Sequence, residues 1–179
     1  MLLSQSSTYA IIPAYFSLLY ESDLRVFYHI VFTLAVPLIL LRLIWRGTKA
    51  SAYFKRWNER FAITLPQLEK SKSLIWFHAV SMGEVEACRP LVAAIQSSFP
   101  GHQILITTMT PTGSARVKDL YADNVLHCYL PYDLPILMRR FIDAIQPAFA
   151  VIMETELWPN IIAQAANKKI KLLLIKTNS

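Results

Sequence analysis

From Ser73 onward, short apolar runs alternate with amphipathic stretches of helical length, and this alternation leaves few folds open. Leu74–Val80, Gln103–Thr108, Val125–Leu130, Ala148–Met153 and Lys171–Ile175 read as strands, rich in Val, Ile and Leu. Between them, Val85–Ser98, Ser114–Tyr121, Leu134–Ile145 and Leu157–Asn167 read as helices. In the first of these, Val85, Cys88, Leu91, Val92 and Ile95 fall on one face at helical spacing. Strands joined through single helices pair in parallel, because a parallel neighbour needs a crossover of about a dozen residues or more. The expected fold is α/β: a Rossmann-like parallel sheet over residues 73–179 with helices on both faces. Ligands of such sheets sit at the carboxyl ends of the strands. The segments leaving those ends, Val80–Glu84, Thr108–Ser114, Pro131–Pro135 and Glu154–Asn160, are rich in polar residues, Gly or Pro and should line one crevice.

Upstream the character changes. Val26–Leu41 carries no formal charge, and Leu43-Ile44-Trp45 extends the apolar run past Arg42. Together they reach about 20 residues, near the minimum for crossing a bilayer. Arg42, Arg46, Lys49, Lys55, Arg56, Arg60, Lys70 and Lys72 follow against only Glu59 and Glu69, so this stretch holds the whole net charge of +6. A basic block suits phosphates on nucleic acid or at a membrane surface. The apolar neighbour selects the membrane, and no nucleic-acid partner is expected. Residues 1–46 are read as an amino-terminal segment containing an anchor helix over about 26–45, and residues 47–72 as a basic linker. Positive residues after the span put the following domain on the cytoplasmic side. The alternative is a buried core helix. A weaker apolar patch, Tyr9 to Tyr20, is broken by Pro13, and residues 1–23 have no assigned role. Cys88 and Cys128 lack metal-ligand spacing and read as reduced core residues.

Three segments carry chemistry. In His78-Ala79-Val80-Ser81-Met82-Gly83-Glu84, Gly83 allows a ligand close to the backbone, and Glu84 can take a proton from a hydroxyl. Ser81-x-x-Glu84 also matches a capping box, whose carboxylate is a weaker base. Thr107-Thr108-Met109-Thr110-Pro111-Thr112-Gly113-Ser114 offers hydroxyls and helix-start N–H groups to an anion, or an ordinary cap. It lacks the Lys and the spacing of a P-loop. Met153-Glu154-Thr155-Glu156-Leu157-Trp158-Pro159-Asn160 sets two acids beside an aromatic ring, a pattern suited to sugar hydroxyls or to a solvated first helical turn.

Taken in order, these segments, with Ala52-Tyr53-x-Lys55-Arg56-Trp57-x-Glu59-Arg60-Phe61 before them and Tyr129-Leu130-Pro131-Tyr132-Asp133-Leu134-Pro135 between, closely resemble the Kdo (3-deoxy-D-manno-octulosonic acid) transferases. The resemblance runs from about Arg42 to about Ile175. It implies a membrane-anchored, two-domain GT-B glycosyltransferase that inverts the anomeric centre without a metal ion or other cofactor. The amino-terminal domain would take a lipid A precursor at the cytoplasmic face of the bacterial inner membrane, and a carboxyl-terminal domain would take CMP-Kdo. It assigns Glu84 as catalytic base. Ser81, Gly83, Thr110, Thr112, Gly113, Ser114, Glu154, Glu156, Arg56 and Arg60 become the substrate-binding candidates. Ala62 departs from the family's usual Gly, and Met82 from its usual Val. After Leu174 the family continues with an Asn-Ala-Arg-Leu-Ser type segment, where this chain reads Ile175-Lys176-Thr177-Asn178-Ser179. The expectation is therefore a truncated product that lacks the donor-binding domain and does not transfer alone. The competing reading is a non-catalytic, membrane-associated lipid-binding module.

Overall fold

The computed structural model describes residues 7–12, 22–49, 51–154 and 158–177. Five strands lie parallel: β2 (Ser73–His78), β3 (His102–Thr108), β4 (Leu126–Tyr129), β5 (Phe149–Met153) and β6 (Lys171–Thr177). The sheet order is β1-β6-β5-β2-β3-β4, where β1 (Ser7–Ile12) runs antiparallel along β6. The strand order therefore reverses between β2 and β5, whose register sets His78 beside Ile152. In a doubly wound sheet that reversal opens the ligand crevice.

The inner strands β2, β3 and β5 are buried on both faces, which is why they read as continuous apolar runs. Leu74, Trp76, Leu105 and Ile152 point to one face and pack under Met138, Phe141, Ile142 and Ile161 of α5 (Pro135–Ile145) and α6 (Pro159–Asn167). Ile75, Phe77, Ile106 and Val151 point to the other, under Val85, Val92, Val117 and Tyr121 of α3 (Met82–Ser98) and α4 (Pro111–Tyr121). Both cysteines are free and buried in these clusters. The helices α3 and α4 start three residues before their apolar pattern does, because Ser81 and Thr110 cap them. α5 and α6 each begin on a proline, whose missing N–H has no partner to lose at a first helical position.

Two features were not legible in the sequence. β1 comes from the stretch with no assigned role, and it covers an edge that β6 would otherwise expose. α1 spans Ser22–Lys49, longer than the apolar run, and continues through Pro37. Within it, Ile30–Lys49 is long and apolar enough to cross a membrane, with a mean hydropathy of 1.8 and only 11% of its window buried. That exposure does not fit the core-helix alternative, and Leu34, Leu38 and Leu41 are more than half exposed. After α1 come a 3-10 turn, Ser51–Phe54, and the short α2, Trp57–Arg60. Gly47 lets that turn fold back, since a Cβ there would lie 2.5 Å from the Phe54 ring.

Candidate functional site

The loop after β2 closes a capping box. Ser81 Oγ accepts the Glu84 N–H at 3.5 Å, while its hydroxyl donates to Glu84 Oε1 at 2.9 Å. The Val80 N–H donates to Glu84 Oε2 at 2.8 Å. Both carboxylate oxygens are thus oriented by the loop itself, and the side chain is half-buried at the crevice. The cap expected from sequence is formed, and it holds the proposed base in one place. Gly83 beside it is exposed, and a Cβ there would meet only Ser81 Oγ, at 4.0 Å. Packing among the described residues does not demand glycine at this position.

At Gly113 the surroundings are tight. A Cβ would lie 3.1 Å from Thr110 Oγ1, 3.3 Å from Thr108 Cβ and 3.4 Å from the Ser81 carbonyl carbon. Glycine lets the first turn of α4 sit on the β2 loop. Thr110 Oγ1 accepts the Gly113 N–H at 3.1 Å and donates to the Val80 carbonyl at 3.4 Å, and the Met109 N–H reaches that carbonyl at 3.0 Å. Thr112 donates to Thr110 Oγ1 at 3.3 Å. These hydroxyls chiefly join two loops.

The basic stretch is docked against the strand ends, and its two candidate arginines are not loose surface cations. Arg56 sits in the left-handed region (φ 60°) and fans out its donors. They reach Glu59 Oε1 at 2.6 Å, Ser114 Oγ at 2.9 Å and the His127 carbonyl at 3.2 Å. Glu59 Oε2 accepts the Tyr129 N–H at 2.8 Å. The guanidiniums of Arg56 and Arg60 lie over the Tyr129 ring at 4.7 and 4.0 Å from its centroid. Arg60 is 2% exposed, donates to the Met109 carbonyl at 3.0 Å, and has no hydrogen-bond partner for its Nε among the described residues. Burial and then the Arg56 charge push the His127 imidazole down to about 3, so it stands neutral beside that arginine. Burial pushes His78 down to about 4, with its Nδ1 3.0 Å from Thr107 Oγ1.

Between α1 and the carboxyl edge of the sheet lies a cavity of about 300 Å³. It is lined by Val80, Met109 and Thr110, by Ile39, Leu43 and Trp158, and by the three arginines Arg42, Arg46 and Arg60. An apolar wall beside three cations suits an amphiphile with an anionic head. Val80 joins this cavity to Glu84, whose carboxylate holds the Val80 N–H. Arg42 and Arg46 were legible only as members of a charge run, because their partner Arg60 is brought to them by the fold. Glu154 ends β5 in the left-handed region (φ 59°), with its N–H on the Ile175 carbonyl at 2.7 Å. Glu156 lies outside the described residues. Among the described residues, no group of three or more His, Cys, Asp or Glu side chains is placed to hold a metal ion.

Residues 55–178 match the family model described as 3-Deoxy-D-manno-octulosonic-acid transferase (kdotransferase). The chain belongs to this family. A Kdo transferase of Haemophilus influenzae is 41% identical over 150 residues, covering 84% of this chain and 35% of that protein. A probable mitochondrial Kdo transferase of Arabidopsis thaliana is 38% identical over 139 residues, covering 78% of this chain and 31% of that protein. The chain thus spans about a third of the length of these relatives, matching their amino-terminal part. The Kdo transferase match begins at Lys55. It takes in Arg56, Arg60 and every crevice loop, whereas Arg42, Arg46 and the cavity wall on α1 lie before it.

Proposed function

We propose that this chain is the acceptor-binding part of a transferase that moves Kdo from CMP-Kdo to a lipid A precursor, at the cytoplasmic face of the inner membrane. The cavity carries this reading. An anionic head group would meet Arg42, Arg46 and Arg60, and its apolar tail would lie along the exposed side of α1. The unpartnered Arg60 Nε gains an acceptor when an anion enters.

In the reaction, the acceptor hydroxyl oxygen bonds to the anomeric carbon while the bond from that carbon to the CMP oxygen breaks, and CMP leaves with the electron pair. Glu84 takes the hydroxyl proton. The Val80 and Ser81 hydrogen bonds keep its oxygens aimed during the transfer. Attack on the face opposite CMP inverts the centre. Ser81, Gly83 and the Thr110–Ser114 turn line the acceptor's path, with Glu154 at the end of β5; Glu156 is a further binding candidate from the motif. CMP-Kdo would be held by a separate donor-binding domain, and no metal ion is needed as cofactor.

The test is a chimera in which these residues replace the matching part of the Haemophilus influenzae relative. Incubated with CMP-Kdo and lipid A precursor, it should yield the Kdo adduct by mass spectrometry. A folded, membrane-bound chimera that binds the precursor but never transfers, beside an active parent enzyme, would establish the alternative of a non-catalytic lipid-binding module.

A further inference from the structure

Asp133 joins three helices. Its side chain is fully buried just before α5 begins. Asp133 Oδ2 accepts the Tyr28 hydroxyl of α1 at 2.9 Å, across 105 positions of sequence. The same oxygen accepts the Asn160 N–H at 3.0 Å and the Asn160 side-chain amide at 3.2 Å, and that amide also donates to the Asp133 carbonyl at 2.6 Å. Burial raises the pKa of this carboxyl above its ordinary value, opposed by the hydrogen bonds from Asn160, Tyr28 and the Ile161 amide.

The local chemistry of α6 explains why this carboxylate matters. Its cap position is Trp158, which makes no side-chain capping bond, and Pro159 at the first helical position has no N–H. The first N–H groups needing acceptors are those of Asn160 and Ile161, and Asp133 supplies the acceptor from another part of the chain. Trp158, directly before α6, lines the cavity between α1 and the carboxyl edge of the sheet. Through Tyr28, the same carboxylate is tied to the one described helix long and apolar enough to cross a membrane.

We propose that Asp133 is a positioning residue through which α1, by the Tyr28 hydroxyl, sets the amino end of α6 and so the Trp158 wall of the cavity. The seating of α1 in a bilayer then bears on the site through one carboxylate. This rests on α1 being a membrane helix, which flotation of the chain with vesicles checks separately. It does not depend on which sugar is transferred.

The experiment is amide hydrogen exchange on the full chain in detergent micelles and in phospholipid nanodiscs, resolved at Asn160 and Ile161. Asp133→Asn should speed exchange there by about tenfold or more, because a charged acceptor is lost. Tyr28→Phe, which leaves Asp133 in place, should speed it in the same direction by at least about threefold while α3 amides keep their rates. The double variant should exchange no faster than Asp133→Asn, since both changes act through one carboxylate. Seating of α1 in the bilayer should alter the wild-type rates at Asn160 and Ile161 but not those of Tyr28→Phe. Wild-type rates in Tyr28→Phe, or wild-type rates that are the same in detergent and in bilayer, overturn the proposal. No donor or acceptor is present, so that outcome leaves the transfer reading standing, and an inactive chimera leaves this one standing.

Discussion

Replacing Glu84 by Gln separates a proton acceptor from a helix cap. The carboxylate now takes the Val80 N–H at 2.8 Å and the Ser81 hydroxyl at 2.9 Å. A glutamine can keep the first with its carbonyl oxygen and turn its amide toward Ser81 Oγ, whose rotating hydroxyl can accept. The capping box therefore survives with a loss of no more than about 1 kcal/mol. For a chain of this size that is a fall in Tm of about 2–4 °C. An amide cannot take up the acceptor's proton, so transfer by the chimera should fall by about 10²–10⁴. Glu84→Ala should lose as much activity but more stability, because the half-buried Val80 N–H loses its acceptor at a cost of about 1–3 kcal/mol. Ser81→Ala breaks the cap and leaves the carboxylate, so it should cost stability of about 1 kcal/mol with a much smaller effect on rate. The assay is Kdo addition followed by mass spectrometry, with a melting curve for each variant. Near-normal transfer by Glu84→Gln would return Glu84 to a purely structural role.

Three further outcomes follow from the geometry. His78 is buried and pushed down to about 4, so its stabilisation is complete above its unfolded value of 6.5 and is lost as pH falls. Between pH 6.5 and 5 it should cost about 2 kcal/mol in denaturant melts, and His78→Gln should flatten that slope; an unchanged slope refutes the assignment. Arg42→Gln with Arg46→Gln should weaken binding to anionic vesicles by about 1 kcal/mol for each residue, with little change on neutral ones. Equal loss on both lipids would point to misfolding. Gly83→Ala should stabilise α3 by up to about 1 kcal/mol yet slow transfer, whereas Gly113→Ala should destabilise, because the Ser81 backbone and Thr108 crowd its Cβ. Melting curves of the two alanine variants that move in the same direction would contradict this contrast.

Much of the fold was readable because its causes are local. Runs such as Leu74–Phe77 and Ala150–Met153 are apolar throughout, since both faces of a parallel strand are covered, and Ser81 and Thr110 stand where a cap must. Helix starts were set three residues late at α3 and α4, since capping residues and Gly83 or Gly113 break the apolar pattern before the backbone leaves the helix. β1 was missed for a different reason: a short strand on a sheet edge is specified by β6, more than 150 positions away, and carries little signal of its own.

The sequence by itself determined the α/β class, the long apolar helix, the ordered loops at the strand ends and the family, since periodicity, caps and motifs are properties of neighbouring residues. Only the tertiary structure decided which charges are buried and what they serve. In the sequence Arg60 is one cation among eight, and in the fold it is 2% exposed, stacked on Tyr129 and turned to the cavity it shares with Arg42 and Arg46. Asp133 reads as an ordinary residue before a proline helix start, yet it caps a different helix and receives Tyr28 from 105 positions away. Long-range partners of this kind leave no periodic trace, because a buried charge is chosen by whichever groups the folded chain brings within hydrogen-bond reach.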